Sequence, residues 1–384
     1  MFLPRQLDLM QATAHKSCFL FGPRQTGKSM LIRNTLPEGT PIYELLDHRL
    51  WMDLSADPTR MRQELEAKNL RNALVVVDEI QKLPSLLDEI HLLMETRKLR
   101  FLLTGSSARK LRRSGVNLLG GRARSRSLHP FSWKELGAHF DLLKALNRGL
   151  LPPVYFSDDP DDDLRAYVGT YLKEEITAEG LTRNVPAFAR FLEVAATCSG
   201  KMFNKTEVAN DAKVPRTTVI EYFEILKDTL IGYELPAWNR SQKRKAIETA
   251  KFYLFDVGVA RALQKLPPLV PRSPDLGDAL EHFVFHELRT YIDTRRPGWD
   301  LHYWRSTSQF EVDFILNGQT AIEVKATHSV SQRDMRGLRA LAEEKMMKHL
   351  VLVCQEATPR KIGPILVLPW REFLERLWSD AFAS

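Results

Sequence analysis

The sequence predicts a multidomain α/β chain: a parallel-sheet core first, a helical and winged-helix middle, and a second α/β domain at the end. Three observations predict it. In the first third, short apolar runs alternate with helix-period segments, the pattern of a parallel sheet covered by helices on both faces. From about Pro130 helices dominate. After a break at 266–277 that holds Pro267, Pro268, Pro271 and Pro274, strands return. A chain of 384 residues also exceeds one ordinary core of about 150 residues.

In order, 17–21, 42–46, 74–77 and 101–103 read as strands, with a helix over 85–98 among the segments between them. Residues 131–150 and 164–179 read as helices around a Pro- and Asp-rich break. Within that break Asp158, Asp159, Asp161, Asp162 and Asp163 read as a solvated loop. Three short helices follow at 188–198, 205–212 and 216–226, then strands at 231–238 and 252–256. The C-terminal part reads as a helix (278–293), two strands, a helix (332–347) and a strand (350–354).

Apolar residues make up 44% and charged residues 27%, which argues against a disordered, collagen-like or disulfide-scaffold chain. No apolar run approaches the ~18 residues that span a bilayer, so no membrane partner is expected. The N-terminus does not read as a secretory signal, because Asp8 interrupts it early. Cys18, Cys198 and Cys354 are few and far apart, which suggests reduced thiols in a cytoplasmic protein. The net charge of +7 only weakly suggests a polyanionic partner. Its distribution says more. Arg100, Arg109, Lys110, Arg112, Arg113, Arg122, Arg124 and Arg126 fall in a stretch without acids, and so do Arg240, Lys243, Arg244 and Lys245.

Gly22, Pro23, Arg24, Gln25, Thr26, Gly27, Lys28 and Ser29 match G-x-x-x-x-G-K-[ST] between a strand and a helix that runs on through Met30. Such a loop turns successive N–H groups onto a β-phosphate, and the helix adds its positive end. Lys28 is expected to reach the β- and γ-phosphates, and Ser29 to ligate Mg²⁺. The run 74–77 leads into Asp78 and Glu79, beyond the carboxyl end of a buried strand, where ligands of parallel sheets sit. Asp78 is expected to hold Mg²⁺ and Glu79 to polarise an attacking water, so the predicted activity is ATP hydrolysis. Thr104 or Ser106 either senses the γ-phosphate or caps a following helix. Arg122, Arg124 and Arg126 form an alternating stripe. Arg122 is read as an arginine finger supplied by a neighbouring subunit; the alternatives are DNA phosphates or a solvated face.

The three helices and two strands of the middle describe a winged helix-turn-helix. Arg216, Thr217 and Thr218 begin its recognition helix, and Arg240, Lys243, Arg244 and Lys245 sit in the wing loop. DNA is the expected partner. Glu221, Glu224 and Asp228 on the same helix keep a protein-contact module or a plain helical lid open.

In the C-terminal part, Asp313, Glu323 and Lys325 lie on two strands of a hairpin, with Glu281 on the helix before them. Two carboxylates and a lysine at strand edges suit Mg²⁺-assisted phosphodiester hydrolysis; a structural salt-bridge cluster is the alternative. A three-residue loop over 316–318, pairing Ile315 with Gln319, is expected. It places Asp313, Glu323 and Lys325 on one face and leaves both apolar sets facing the core.

Several segments together resemble a known prokaryotic group: GPRQTGKS at 22–29, VVVDEIQKLP at 75–84, LLTGSSARKL at 102–111 and LLGGRARSRSLHPFSWKEL at 118–136. KFYLFDVGVARAL at 251–263, LEHFVFHEL at 280–288 and EVDFIL…AIEVKAT within 311–327 extend the likeness nearly end to end. The chain resembles AAA+-type P-loop ATPases that carry a C-terminal domain of unknown function of restriction-endonuclease-like, PD-(D/E)xK, fold. The resemblance implies an AAA+-like ATPase core (1–135), a helical lid (136–180), a winged helix-turn-helix (181–265) and a nuclease-like domain (277–384). It also implies ATP and Mg²⁺ as cofactors, assembly into a hexamer or another homo-oligomer, and Arg122 as the trans-acting finger. Domains of this nuclease-like fold include Holliday-junction resolvases, which makes branched DNA a plausible ligand. A nucleotide-dependent switch that binds a protein partner, and an ATP-gated nuclease, are the competing readings.

Overall fold

The computed structural model of the chain describes residues 2–107, 111, 119–171 and 184–383. Arg109, Lys110, Arg112 and Arg113 of the basic stretch lie outside them, as does the end of the helix expected over 164–179. The chain divides into two compact units, Met1–Pro130 with Asp228–Ile231, and Phe131–Lys227 with Gly232–Ser384.

The first unit holds five strands: β1 (Ser17–Phe21), β2 (Ile42–Glu44), β3 (Leu74–Asp78), β4 (Arg100–Gly105) and β5 (Ala123–Ser127). They lie in the order β2-β3-β4-β1-β5, every pair parallel. The helices are α1 (Leu9–Thr13), α2 (Lys28–Thr35), α3 (His48–Ala56), α4 (Thr59–Ala67) and α5 (Leu86–Arg97). Strand alternation divides the buried residues between two faces. Phe19, Phe21, Val75, Val77, Phe101 and Leu103 pack with Leu54, Met61, Leu65, Ile90 and Leu93 of α3 to α5. Cys18, Leu20, Val76 and Leu102 pack with Leu9, Ala12, Leu31 and Ile32 of α1 and α2. Burial on both faces is why these strands read as unbroken apolar runs.

The second unit begins with short helices: α6 (Trp133–Leu136), α7 (Leu142–Arg148), α8 (Pro152–Tyr155) and α9 (Pro160–Ala166). The aspartate run is exposed to solvent, but from Asp159 on it starts a helix and is not a loop. Asp159 caps α9 by accepting from the Asp162 N–H, and Asp161, Asp162 and Asp163 occupy its first turn, where negative charge complements the helix dipole.

Next come α10 (Val185–Thr197), β6 (Lys201–Met202), α11 (Lys205–Ala212), α12 (Arg216–Asp228), β7 (Gly232–Leu235) and β8 (Lys251–Leu254). The strands form an antiparallel sheet in the order β6-β8-β7. Phe191, Phe203, Phe223 and Phe252 join helices to sheet, with ring centroids 4.7–5.0 Å apart around Phe223. The loop between β7 and β8 is not a free wing tip. Its start runs along β9 (Leu301–Arg305), where the Trp238 N–H donates to the Tyr303 carbonyl at 2.7 Å.

After α13 (Val257–Leu263) the proline-rich break is pinned rather than free. Leu269 is buried and exchanges two hydrogen bonds with the Asn147 side chain. The rest is α14 (Leu276–Arg295), β9, β10 (Glu311–Leu316), β11 (Thr320–Val324), α15 (Arg336–Ala342), β12 (His349–Cys354), β13 (Arg360–Ile362), β14 (Ile365–Pro369) and α16 (Trp370–Trp378). Its mixed sheet runs β13-β14-β12-β11-β10-β9.

The β10–β11 hairpin pairs Leu316 with Thr320 and Phe314 with Ile322. Its loop is Asn317-Gly318-Gln319, and both Asn317 and Gly318 have positive φ. The expected pairing of Ile315 with Gln319 is thus off by two residues. Extended by one step, the observed register sets Asp313 level with Glu323. A bulge between Val312 and Ile315 against β9 breaks the expected alternation. Val312 and Ile315 share one cluster, while Phe314 lies against Tyr253 and Phe285.

Candidate functional site

The glycine loop leaves the carboxyl end of β1 and enters α2 at Gly27, whose φ of 91° is left-handed. Gly22 has no room for a side chain: a Cβ there would lie 2.3 Å from the Leu128 carbonyl. Thr26 Oγ1 donates to the Pro23 carbonyl at 2.9 Å and closes the turn. The Lys28 ammonium, buried at the loop's centre, donates to the carbonyls of Gly22 (2.7 Å) and Pro23 (3.1 Å). Those bonds aim it across the cradle. Arg24 and Gln25 are half-buried in the turn, and Ser29 and Met30 are exposed at the head of α2.

Ser29 Oγ donates to Asp78 Oδ2 at 3.0 Å, so the loop hydroxyl and the strand-end carboxylate stand side by side. Two oxygens of this kind fit the hard cation expected here, Mg²⁺. The Thr104 hydroxyl donates to Asp78 Oδ1, and Thr104 Oγ1 accepts the Glu79 N–H at 3.2 Å. Thr104 is wholly buried and holds both acidic residues in place.

Glu79 sits in left-handed backbone (φ 61°) at the end of β3. Its carboxylate accepts from the Gln81 amide, which also reaches Ser106 Oγ at 3.4 Å. Gln81 is buried against Gly105, where a Cβ would come within 2.3 Å of its Oε1. Arg5 is a second residue that sequence reasoning missed. It donates to the Thr26 carbonyl of the loop at 2.7 Å and to the His129 carbonyl beyond β5 at 2.6 Å.

Arg122 stands at the other end of this sheet. It immediately precedes β5, whose Ala123 pairs with Ser17, the first residue of β1. It is half exposed and pairs with Glu95 at 2.9 Å. In a parallel sheet the phosphate loop lies at the opposite strand ends, so Arg122 is remote from the loop of its own chain. Arg124 is exposed and Arg126 half-buried on the edge strand β5.

In the second unit, Arg216 and Thr217 are exposed at the head of α12 and Thr218 is half-buried. Arg240, Lys243 and Lys245 are exposed, but the loop that carries them is fastened down. Glu344 accepts from the N–H groups of Gln242 and Lys243 and from Ser241 Oγ. Arg244 donates to the Ala340 carbonyl, in the last turn of α15, and pairs with Glu343 at 2.7 Å.

Glu281, Asp313 and Glu323 gather with Glu311 and with Lys251, a residue that sequence reasoning passed over. The Lys251 ammonium lies 3.1 Å from Glu281, 2.8 Å from Glu311 and 3.8 Å from Asp313. Asp313 also accepts the Val324 N–H at 2.8 Å, and Tyr253 donates to Glu281. Glu323 Oε1 meets Lys325 at 2.5 Å, and its Oε2 is buried with no hydrogen-bond partner among the described residues. The charged face is buried, against the expectation that only the apolar sets face the core: Asp313 and Glu323 are 5% and 6% exposed. Burial, then the Asp313 charge, lifts Glu281 to about 7 against the pull of Lys251 and Tyr253. The same two causes hold Glu323 well above the usual carboxylate range. Burial works to lower Lys251, but Glu281, Asp313 and Glu311 outweigh it and keep the amine charged. Among the described residues, no group of three or more His, Cys, Asp and Glu is arranged to hold a metal ion.

Residues 14–137 match a family described as AAA domain. Residues 139–269 and 276–373 match two domains of unknown function, DUF8612 and DUF4143. Uncharacterised proteins of Mycobacterium bovis and Mycobacterium tuberculosis are each 27% identical over 331 residues, covering 83% of this chain and 72% of theirs. An uncharacterised protein of Methanocaldococcus jannaschii is 22% identical over 408 residues, covering 92% of this chain and 84% of its own. The likeness therefore reaches well past the phosphate loop. With the five-stranded parallel sheet, the AAA match supports a P-loop ATPase-like N-terminal region, which suggests ATPase activity and the use of a nucleotide with Mg²⁺. Among the described residues no helix is long and apolar enough to cross a membrane.

Proposed function

We propose that the chain is an ATP-hydrolysing, self-assembling AAA+-type ATPase that acts on DNA, with branched DNA such as a Holliday junction as a candidate substrate. The observation that carries the ATPase step is the chain Ser29–Asp78–Thr104–Glu79 beside the Lys28 loop. Gly22 to Met30 cradle the phosphates and Lys28 draws charge from the β- and γ-oxygens. Ser29 and Asp78 would hold Mg²⁺, which neutralises phosphate charge when bound. Glu79, steadied by Gln81, takes the proton of the attacking water. Arg122 serves the nucleotide of a neighbouring subunit. Its distance from its own loop supports that role, because a finger supplied in trans completes a site only on assembly.

DNA contact falls to Arg216, Thr217 and Thr218 on α12 and to Arg240, Lys243 and Lys245 of the wing loop. The test is Mg²⁺-dependent ATP turnover alone and with duplex, single-stranded and four-way-junction DNA, with Lys28→Ala as the blank. Stimulation by one form is expected, with binding that weakens steeply as salt rises. Turnover indifferent to all three forms would overturn the DNA assignment.

A second reading, a nucleotide-dependent switch on a protein partner, is favoured by one observation. The wing loop spends Arg244, the Ser241 hydroxyl and two backbone N–H groups on α15 and the residues after it. Recovery of a stoichiometric protein partner that survives nuclease treatment would support it.

A further inference from the structure

Metal-assisted phosphodiester cleavage at the Glu281, Asp313, Glu323 and Lys325 set requires a divalent cation among the carboxylates. A different cation stands there. The Lys251 ammonium touches Glu281 and Glu311 and lies within 4 Å of Asp313. Lys251 is 3% exposed, so it cannot swing into water and vacate the position at no cost. Its backbone is fixed as the first residue of β8, paired with Met202 on one side and Leu235 on the other. Tyr303 closes its other side, with its ring centroid 5.4 Å from the ammonium.

The residues present do not fit a resident metal. A dication placed between Glu281 and Asp313 would stand a few ångströms from a charged amine, and like charges that close repel strongly in a partly buried site. Asp313 is committed as well, with one oxygen on the Val324 N–H. The cluster nonetheless keeps one carboxylate oxygen to spare. Glu323 Oε2 is buried and meets no partner among the described residues. Carboxylates outnumber the buried cations that answer them, and the excess is what a metal would otherwise balance.

We propose that Lys251 is a built-in counter-ion: it takes the cation's place in this carboxylate cluster and bars a divalent metal from it. The chain then holds a nuclease-like arrangement whose metal position is filled by its own side chain. The inference rests on the geometry of the cluster and is independent of the ATPase reading.

The test is Mn²⁺ binding, followed by calorimetry and by electron paramagnetic resonance. It is made without nucleotide in an Asp78→Asn background, so that the phosphate-loop site contributes nothing. The unaltered cluster is expected to show no saturable Mn²⁺ site. Lys251→Met, which keeps the length of the side chain and removes the charge, is expected to bind a single Mn²⁺ roughly 100-fold or more tighter, the scale set by deleting one close like charge. Adding Glu323→Gln to Lys251→Met should abolish that site. Lys251→Arg should remain without metal. A Mn²⁺ site in the unaltered cluster that Glu323→Gln removes would overturn the proposal, and that outcome can be read without any Lys251 variant. A folded Lys251→Met protein that still binds no Mn²⁺ would overturn it too.

Discussion

Replacing Thr104 by valine keeps its shape and deletes the hydroxyl that fixes Asp78 and receives the Glu79 N–H. Turnover of ATP is expected to fall about 10- to 100-fold with little change in KM, because the hydroxyl orients Asp78 and Glu79, the groups proposed to act. Steady-state kinetics across an ATP titration checks this, and a change confined to KM would contradict it. A titration at Asp256 gives a second test. Burial raises this carboxyl to about 6 against the backbone N–H groups of Leu150 and Val259. The folded chain thus holds the proton longer than the unfolded one. Its contribution is complete below the ordinary value of 3.8 and is lost as pH rises through 6. The stability of the unaltered protein relative to Asp256→Asn should therefore fall between about pH 4 and 6, by some 2–3 kcal/mol, and level off above. Urea unfolding at stepped pH measures it. The sequence made Lys28, Ser29 and Asp78 legible because each follows a local rule of spacing or strand-end position. Arg5, Gln81 and Lys251 were not legible. Arg5 and Lys251 meet partners 21 and 30 residues away, and Gln81, though close in sequence to Glu79, is held by Ser106, 25 residues away, so only the fold brings them into place.

Elements show the same division. β1, β3 and β4 could be read because a strand buried on both faces has no polar phase to mislead. The hairpin was harder. Asn317-Gly318 marks a turn, but not which residues flank it, and the β10 bulge leaves no trace in the hydrophobic pattern. The acidic run at α9 misled because aspartate suits a helix start as well as a loop, and only Asp159 as the cap decides. Packing between elements gives a prediction for the middle region. Phe223 is wholly buried and ties α12 to Phe191 of α10 and to Phe252 of β8. Phe223→Ala should cost about 3–5 kcal/mol of unfolding free energy, read as a lowered denaturant midpoint in far-ultraviolet circular dichroism. A loss under 1 kcal/mol would mean that this cluster does not hold the helices to the sheet.

For the whole molecule, the proposed division of labour between subunits has a sharp signature. Lys28→Ala removes the phosphate ligand of its own site, and Arg122→Ala removes the finger offered to a neighbour. Each variant alone is expected to lose at least about 100-fold of turnover, given the 10³–10⁵-fold effects of such fingers. Mixed, they should regain part of it, since an Arg122→Ala subunit with an intact loop can meet an intact finger on a Lys28→Ala subunit. Strictly no recovery in mixtures shown to co-assemble would place Arg122 outside the reaction.

The fastening of the loop between β7 and β8 carries a consequence for biosynthesis. Trp238 bonds to Tyr303, and Arg244 to Ala340, 96 residues further on. Synthesis runs from the N-terminus at about 5–20 residues per second. The segment from Trp238 to Lys251 therefore leaves the ribosome several seconds before the strand and helix that receive it. During that interval its indole and its cationic groups have no native partners. Chain ends inserted in the proline-rich break would make the interval permanent, so a fragment stopped there is expected to be captured by chaperones or to precipitate.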